Sequence, residues 1–308
     1  MAPRFCILGT GSSGNSALLE TEQTRVLIDA GFSARKLAQL LESVGRSLEQ
    51  VHAVFLTHEH GDHAAAIDGL KRHPHIEVFA NAPTARAVQD GLKHKVNWKL
   101  FETGSHFRFR DLEIDAFSVP HDARDPVGFR FSCASEAAGP DLQSAGAQRP
   151  VPPSSLVGTT LELDLFSCAP AASAATTPTA PVPSPAPALV WLTDLGYAPA
   201  HLHAHLRDCD ALIIEANHCP ELLRADTKRP WSTKQRIAGR HGHLSNPALA
   251  ELLASVASPR WHHVFLTHLS RDCNSPAAID QALAPIKARL NCAFAIASQD
   301  SPTEFIEL

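Results

Sequence analysis

The chain has 308 residues, 44% hydrophobic and 19% charged, the balance of an ordinary soluble protein with length for one large core or two modest ones. A net charge of −5 leaves no global basic footprint for nucleic acid, and seven scattered cysteines make neither a disulfide framework nor a CxxC zinc site. No apolar run reaches the roughly 18 residues that span a bilayer, and the N-terminus turns to glycines too soon for a secretory signal, so a cytoplasmic protein without membrane partners is expected.

Short apolar runs at Phe5 to Leu8, Ala17 to Leu19 and Val26 to Asp29 read as three successive strands. Ser33 reads as the N-cap of a helix carrying Leu37, Leu40, Leu41 and Val44 at helical spacing, stopped by Gly45. Ala53 to Thr57 is a short buried strand, followed by a helix starting near His63; Glu77 to Ala80, Leu112 to Val119 and Phe129 to Cys133 are further strands. The rhythm breaks over about 134–188. Ten of the 23 prolines lie between Pro140 and Pro187 amid Ala, Ser and Thr, a composition unable to bury enough apolar surface to offset ordering entropy. A mostly disordered insertion is expected there, with Val157 to Phe166 as the one candidate for a strand or hairpin. Strands resume at Leu189 to Thr193, Ala211 to Glu215 and His263 to Thr267, while Asn246-Pro247 and Ser275-Pro276 each cap a helix with Pro at its first position. This succession predicts an α/β sandwich in a single domain, 1–308, split by the insertion.

Val54-Phe55-Leu56-Thr57-His58 recurs letter for letter as Val264-Phe265-Leu266-Thr267-His268, so two buried strands end in histidines able to meet at one site from opposite sheets. The densest chemical signal is His58-Glu59-His60-Gly61-Asp62-His63, four imidazole or carboxylate ligands within six residues just past a strand. Zinc-type divalent metals take such ligands. A two-metal site needs more from distant strand ends, and His121, Asp194 and His268 each stand just past one.

The order Asp29, HEHGDH, His121, Asp194, His268 resembles the five motifs of the metallo-β-lactamase superfamily, across nearly the whole chain outside the insertion. Gly9-Thr10-Gly11-Ser12-Ser13-Gly14-Asn15-Ser16, Leu27-Ile28-Asp29-Ala30-Gly31, Thr193-Asp194-Leu195-Gly196-Tyr197, Glu215-Ala216-Asn217-His218, Gly242-His243-Leu244-Ser245-Asn246 and Thr267-His268-Leu269-Ser270 together look like its YycJ/WalJ-type branch, and the GHLS and THLS pair also resembles ribonuclease Z. The resemblance implies a four-layer αββα sandwich and 5′-to-3′ exonuclease activity on DNA. It implies that His58, His60 and His121 hold one Zn²⁺ or Mn²⁺ ion, that Asp62, His63 and His268 hold a second, and that Asp194 bridges them. A water between two such ions, roughly 3.5–4 Å apart, loses its proton near neutral pH and attacks phosphorus in line. Asp62, Asp29 and His243 would carry the reaction with the ligands: Asp29 by orienting a ligand histidine, His243 by meeting the scissile phosphate or protonating the leaving group. Two features depart from the family pattern, Cys219 where an acidic residue is usual and the insertion itself; no separate clamping domain is visible.

Substrate contacts are sought in Ser13 and Asn15, whose Gly-rich loop could offer backbone N–H groups to a phosphate, and in Lys228-Arg229-Pro230-Trp231-Ser232-Thr233-Lys234-Gln235-Arg236, a basic stretch with an aromatic, from which Lys234 and Arg236 are chosen as a strand-tracking rim. His218 could line the cleft or be a core residue. His73, His75, His201, His203 and His205 read as surface. Two alternatives stand beside the nuclease: a phosphodiesterase for a small cyclic phosphate or cyclic nucleotide, and a non-catalytic metal-binding or redox protein. The residues do not distinguish DNA from RNA or zinc from manganese, nor give an oligomeric state.

Overall fold

The structure is a computed structural model that describes residues 2–133 and 186–308. The expected insertion, including Val157 to Phe166, lies outside the described residues except for its last three positions, and Ala188 already belongs to a strand.

Among the described residues two seven-stranded sheets are built, nearly in chain order. The first contains β1 (Arg4–Gly9), β2 (Ser16–Glu20), β3 (Arg25–Ile28), β4 (Ala53–Phe55), β5 (Glu77–Asn81) and β6 (Trp98–Phe101), completed by β14 (Ile306–Glu307) in the order β14-β1-β2-β3-β4-β5-β6. The second holds β7 (His106–Phe109), β8 (Leu112–Ser118), β9 (Val127–Cys133), β10 (Ala188–Leu192), β11 (Ala211–Glu215), β12 (His263–Thr267) and β13 (Ala293–Ile296), in the order β13-β12-β11-β10-β9-β8-β7. In each sheet four consecutive strands are parallel and the rest antiparallel. The two halves therefore repeat one topology.

Alternation along the strands explains the layers. Ala53 and Phe55 enter the core between the sheets while Val54 packs outward; Phe265 points inward while Val264 and Leu266 pack outward. The inter-sheet core is rich in rings, with Phe55 stacked on Phe79 at 4.7 Å between centroids and edge-on to Phe131 at 5.5 Å. Outside the first sheet, α1 (Ala34–Ser43) and α3 (Ala82–Asp90) cover Leu18, Leu27 and Val78; outside the second, α4 (Leu202–Arg207), α7 (Asn246–Val256) and α8 (Pro276–Lys287) cover Val190, Leu212 and Ile214. Helix, sheet, sheet, helix is the expected layering.

Ser33 caps α1 through Lys36 N as expected, and Ser275 caps α8 with Pro276 at its first position. The cap of α7 is corrected by one residue: Ser245 Oγ accepts from Ala248 N, so Asn246 is the first helical residue and Pro247 the second. His205 is corrected too. It is half-buried and stacked on Phe117 at 4.4 Å, because α4 lies on the sheet. Among the described residues no helix is long and apolar enough to cross a membrane.

Candidate metal centre

Every expected ligand stands where a strand has just ended. β4 runs into the loop of His58 and His60 and the short helix α2 (Gly61–Ala64), which carries Asp62 and His63; β8, β10 and β12 deliver His121, Asp194 and His268. Of the four non-glycine residues with left-handed backbones among the described residues, three are here: Asp29 (φ 59°), Asp194 (φ 57°) and His268 (φ 53°). Such conformations cost of order 1–3 kcal/mol each and persist where the surroundings over-determine them. Gly31 permits the tightest approach, since a Cβ there would lie 1.6 Å from the Asp62 carbonyl oxygen.

The loops bring seven side chains together in two triads sharing a carboxylate. In His58, His60 and His121, and in Asp62, His63 and His268, one potential ligand atom of each residue lies within 4.8 Å of the others. His58 Nε2 faces His60 Nδ1 at 3.0 Å, and His268 Nε2 is 3.4 Å from Asp62 Oδ2. Asp194 lies between the triads: Oδ1 is 3.7 Å from His121 Nε2 and 3.6 Å from His268 Nε2, and Oδ2 is 2.9 Å from His63 Nε2. That last contact is close but makes no hydrogen bond of acceptable geometry, so among the described residues the buried Asp194 Oδ2 has no hydrogen-bond partner. An orphaned buried carboxylate oxygen is a costly arrangement without a cation. Tetrahedral ligands at 2.0–2.2 Å from zinc sit roughly 3.3–3.6 Å apart, so the donor set and its spacing fit a pair of divalent ions.

The outward ring nitrogens fix the inward ones. Asp29 Oδ2 lies 2.8 Å from His63 Nδ1, while its Oδ1 accepts from Thr57 N and Thr57 Oγ1 at 2.8 and 3.0 Å. Asp29 thus lies against the outward nitrogen of His63. His121 Nδ1 lies 3.0 Å from the Gly242 carbonyl and donates to it. His58 Nδ1 is 3.0 Å from Thr57 Oγ1. These contacts leave Nε2 of His58, His63 and His121 to face the centre.

Glu215 is the residue that sequence reasoning missed. Fully buried at the end of β11, its Oε1 accepts from His243 Nδ1 (2.7 Å) and His268 Nδ1 (3.0 Å), and its Oε2 from Leu195 N (3.0 Å) and Leu244 N (3.3 Å). It lies close enough to Asp194, His243 and His268 to complete a ligand group with them. With four donors already on it, however, it has no lone pair left for a cation. It orients instead. A signal existed in its place at a strand end, like Asp29.

His243 is brought to the site as expected: its ring stacks 5.1 Å from that of His268 and lies 5.3 Å from that of His121. Asn15 is corrected. Its N–H is spent on Asp62 O (2.8 Å), and its buried amide lies 3.0 Å from His63 Nε2 and 3.3 Å from Asp62 Oδ2, so it braces the second triad and presents nothing to a phosphate. Ser13 is exposed on the same loop. On α6 (Trp231–Ile237), the Arg236 guanidinium reaches Asp122 Oδ2 at 2.8 Å, beside His121, whereas the Lys234 ammonium is taken up by the Arg224 and Asp226 carbonyls that end α5 (Pro220–Ala225). Only Arg236 of the pair reaches the site edge.

Charge follows geometry. Burial, then the neighbouring His63, hold His58 well below the ordinary imidazole range, and burial lowers His121. Burial also works against a proton on His63, His268 and His243, but carboxylates outweigh it: Asp194 then Asp29 raise His63, Asp194 then Asp62 carry His268 up to about 10, and Glu215 raises His243. Burial opposes charge on Asp194 and Glu215, yet the histidines hold both below the usual carboxylate range. A cation bound by these imidazoles would have to displace their protons.

Residues 9–157 match the metallo-beta-lactamase superfamily. The chain is 30% identical over 275 residues to exodeoxyribonuclease WalJ of Streptococcus pneumoniae serotype 2, covering 88% of this chain and 83% of that protein. It is 26% identical over 276 residues to exodeoxyribonuclease YycJ of Bacillus anthracis, covering 89% and 85%. Among solved structures, the metallo-beta-lactamase fold protein YhfI of Bacillus subtilis superposes with a TM-score of 0.61 at 14% identity, over 99% of this chain and 100% of that one. Sequence, fold and site agree, and the chain belongs to the metallo-beta-lactamase superfamily as a metal-dependent hydrolase of its WalJ/YycJ branch.

Proposed function

We propose that this hydrolase is a 5′-to-3′ exonuclease acting on DNA, with two Zn²⁺ or Mn²⁺ ions held by His58, His60 and His121 and by Asp62, His63 and His268, and with Asp194 between them. What carries the reading is the likeness, over most of both chains, to exodeoxyribonuclease WalJ. A buried site with six histidines and four carboxylates suits phosphodiester hydrolysis. The chemistry that two divalent ions supply in such a site is a nucleophile from water near neutral pH and relief of charge developing on the phosphoryl oxygens.

The chain's own groups do the rest. Asp29 and Glu215 hold His63 and His268 with Nε2 inward, so both present a lone pair without a rotamer search. Glu215 holds His243 by Nδ1, so its Nε2 is left to meet the scissile phosphate or the leaving oxygen. Ser13 and Arg236, both exposed, contact the phosphates of the strand. A cytoplasmic location, where DNA is reached directly, goes with this reading.

The test is product analysis on DNA and RNA, single- and double-stranded, labelled at either end, with Mn²⁺ or Zn²⁺ added. Stepwise release of mononucleotides from the 5′ end of DNA is the expected result. Turnover confined to small cyclic phosphodiesters would overturn the reading, as would redox-active iron without hydrolysis.

A further inference from the structure

Beside the metal centre, α5 and α6 enclose a pocket of about 520 Å³ that none of the chemistry above uses. Its walls are apolar, with Pro220 and Leu223 among them, and among the described residues that line it there is no carboxylate. Two features mark it as more than a surface dent. Trp231 at its lip is 64% exposed, which leaves a large aromatic face open for stacking. His218 lines the pocket, is only 2% exposed, and its Nδ1 has no hydrogen-bond partner among the described residues. An unpaired buried polar atom costs stability unless a ligand satisfies it.

The pocket also adjoins the reaction centre. His218 lies three residues past Glu215, a span of at most roughly 10 Å along the chain. One turn beyond Trp231, Arg236 pairs with Asp122, whose Oδ1 is 3.3 Å from His121 Nε2. Lys234 bonds the carbonyls of α5 from α6 and so holds the two walls together. Arg224 also lines the pocket, its guanidinium paired with Glu221 Oε1 at 2.9 Å.

We propose that this pocket receives one nucleobase of the DNA strand, unstacked from its neighbours, with its face on Trp231 and its polar edge toward His218. The proposal rests on the nuclease reading and deepens it. An aromatic lip and a buried imidazole with an unpaired nitrogen on a largely apolar wall suit a flat heterocycle. Stacking is indifferent to base identity, so the pocket positions the strand with little selection of sequence.

An abasic scan tests it. The full-length protein with Mn²⁺ is given short single strands, each lacking one base at successive positions from the 5′ end, and kcat/KM is measured for wild type, Trp231→Ala and Trp231→Phe. At one position the missing base should lower wild-type kcat/KM by roughly 5- to 150-fold, the range of base–aromatic stacking. Trp231→Ala should lose the same factor on the intact strand and nothing more on the abasic one, while Trp231→Phe keeps most of the wild-type rate. DNA cleavage in which no position is sensitive, or in which the two losses multiply, would overturn the pocket proposal and leave the nuclease reading intact. Wild type that hydrolyses bis-p-nitrophenyl phosphate but no DNA would remove the nuclease reading, and the pocket's assignment with it.

Discussion

Replacing Glu215 by glutamine removes one charge and turns one acceptor oxygen into a donor, in a place where four donors already converge. If the amide oxygen faces the histidines, the new NH₂ opposes Leu195 N–H and Leu244 N–H. If it faces the backbone, the NH₂ opposes two imidazole N–H groups and drives both rings to the other tautomer, with Nε2–H pointing at the centre. Either way at least two hydrogen bonds to a charged acceptor are lost. At 1.5–3 kcal/mol each, the cost is about 3–6 kcal/mol, a drop in melting temperature on the order of 10 °C for a domain of this size. Metal affinity should fall by roughly 10- to 100-fold through loss of the group orienting His268. Calorimetric unfolding and zinc titration of Glu215→Gln measure the two effects separately. A variant that melts with the wild type and binds metal as tightly would refute the fourfold acceptor role.

Three further outcomes are expected. Glu20, 2% exposed, meets Arg4, Arg25 and Arg46 at 3.0, 2.9 and 2.5 Å; burial pushes its pKa up, but the arginines, Arg46 foremost, hold it below the ordinary value. A depressed carboxylate stabilises the fold above its unfolded pKa, near 4.3, and loses that contribution as pH falls through the folded value. Glu20→Gln should therefore cost about 1–3 kcal/mol at pH 7 and converge with wild type in acid, as denaturant melts across pH would measure. Arg236→Ala should leave metal content unchanged while lowering the salt slope of DNA binding by about 1, measured by anisotropy at several salt concentrations. Removing residues 138–184 should leave folding and hydrolysis largely intact: Ser132 pairs with Ala188, so the segment leaves and re-enters at one point of the second sheet. Asp194 lies six residues along β10 from that point, roughly 20 Å away. Loss of soluble protein on expression would contradict this.

The metal centre was legible because its signals are local. HEHGDH packs four ligands into six residues, and His121, Asp194 and His268 follow apolar runs short enough to read as strands. The recurrence of VFLTH is also explained: each copy sends Val and Leu to a helix layer, Phe to the inter-sheet core and His to the site. Yet the copies are not symmetry mates, since β4 is fifth across its sheet from β14, while β12 is sixth across the other from β7. That offset exists only in the sheet order.

Sequence by itself determined the alternation of strands and helices, the ligand types and the family, because periodicity and ligand spacing act between residues near one another in the chain. Tertiary structure alone decided what each remaining polar group does. Asn15 and Glu215 carry side chains that would suit a phosphate or a cation, but His63 and Asp62 sit 48 and 47 residues from Asn15, and His268 lies 53 from Glu215. A hydrogen bond is set by distance and direction in space, so whether a buried donor or acceptor is free or spent follows from the packed fold.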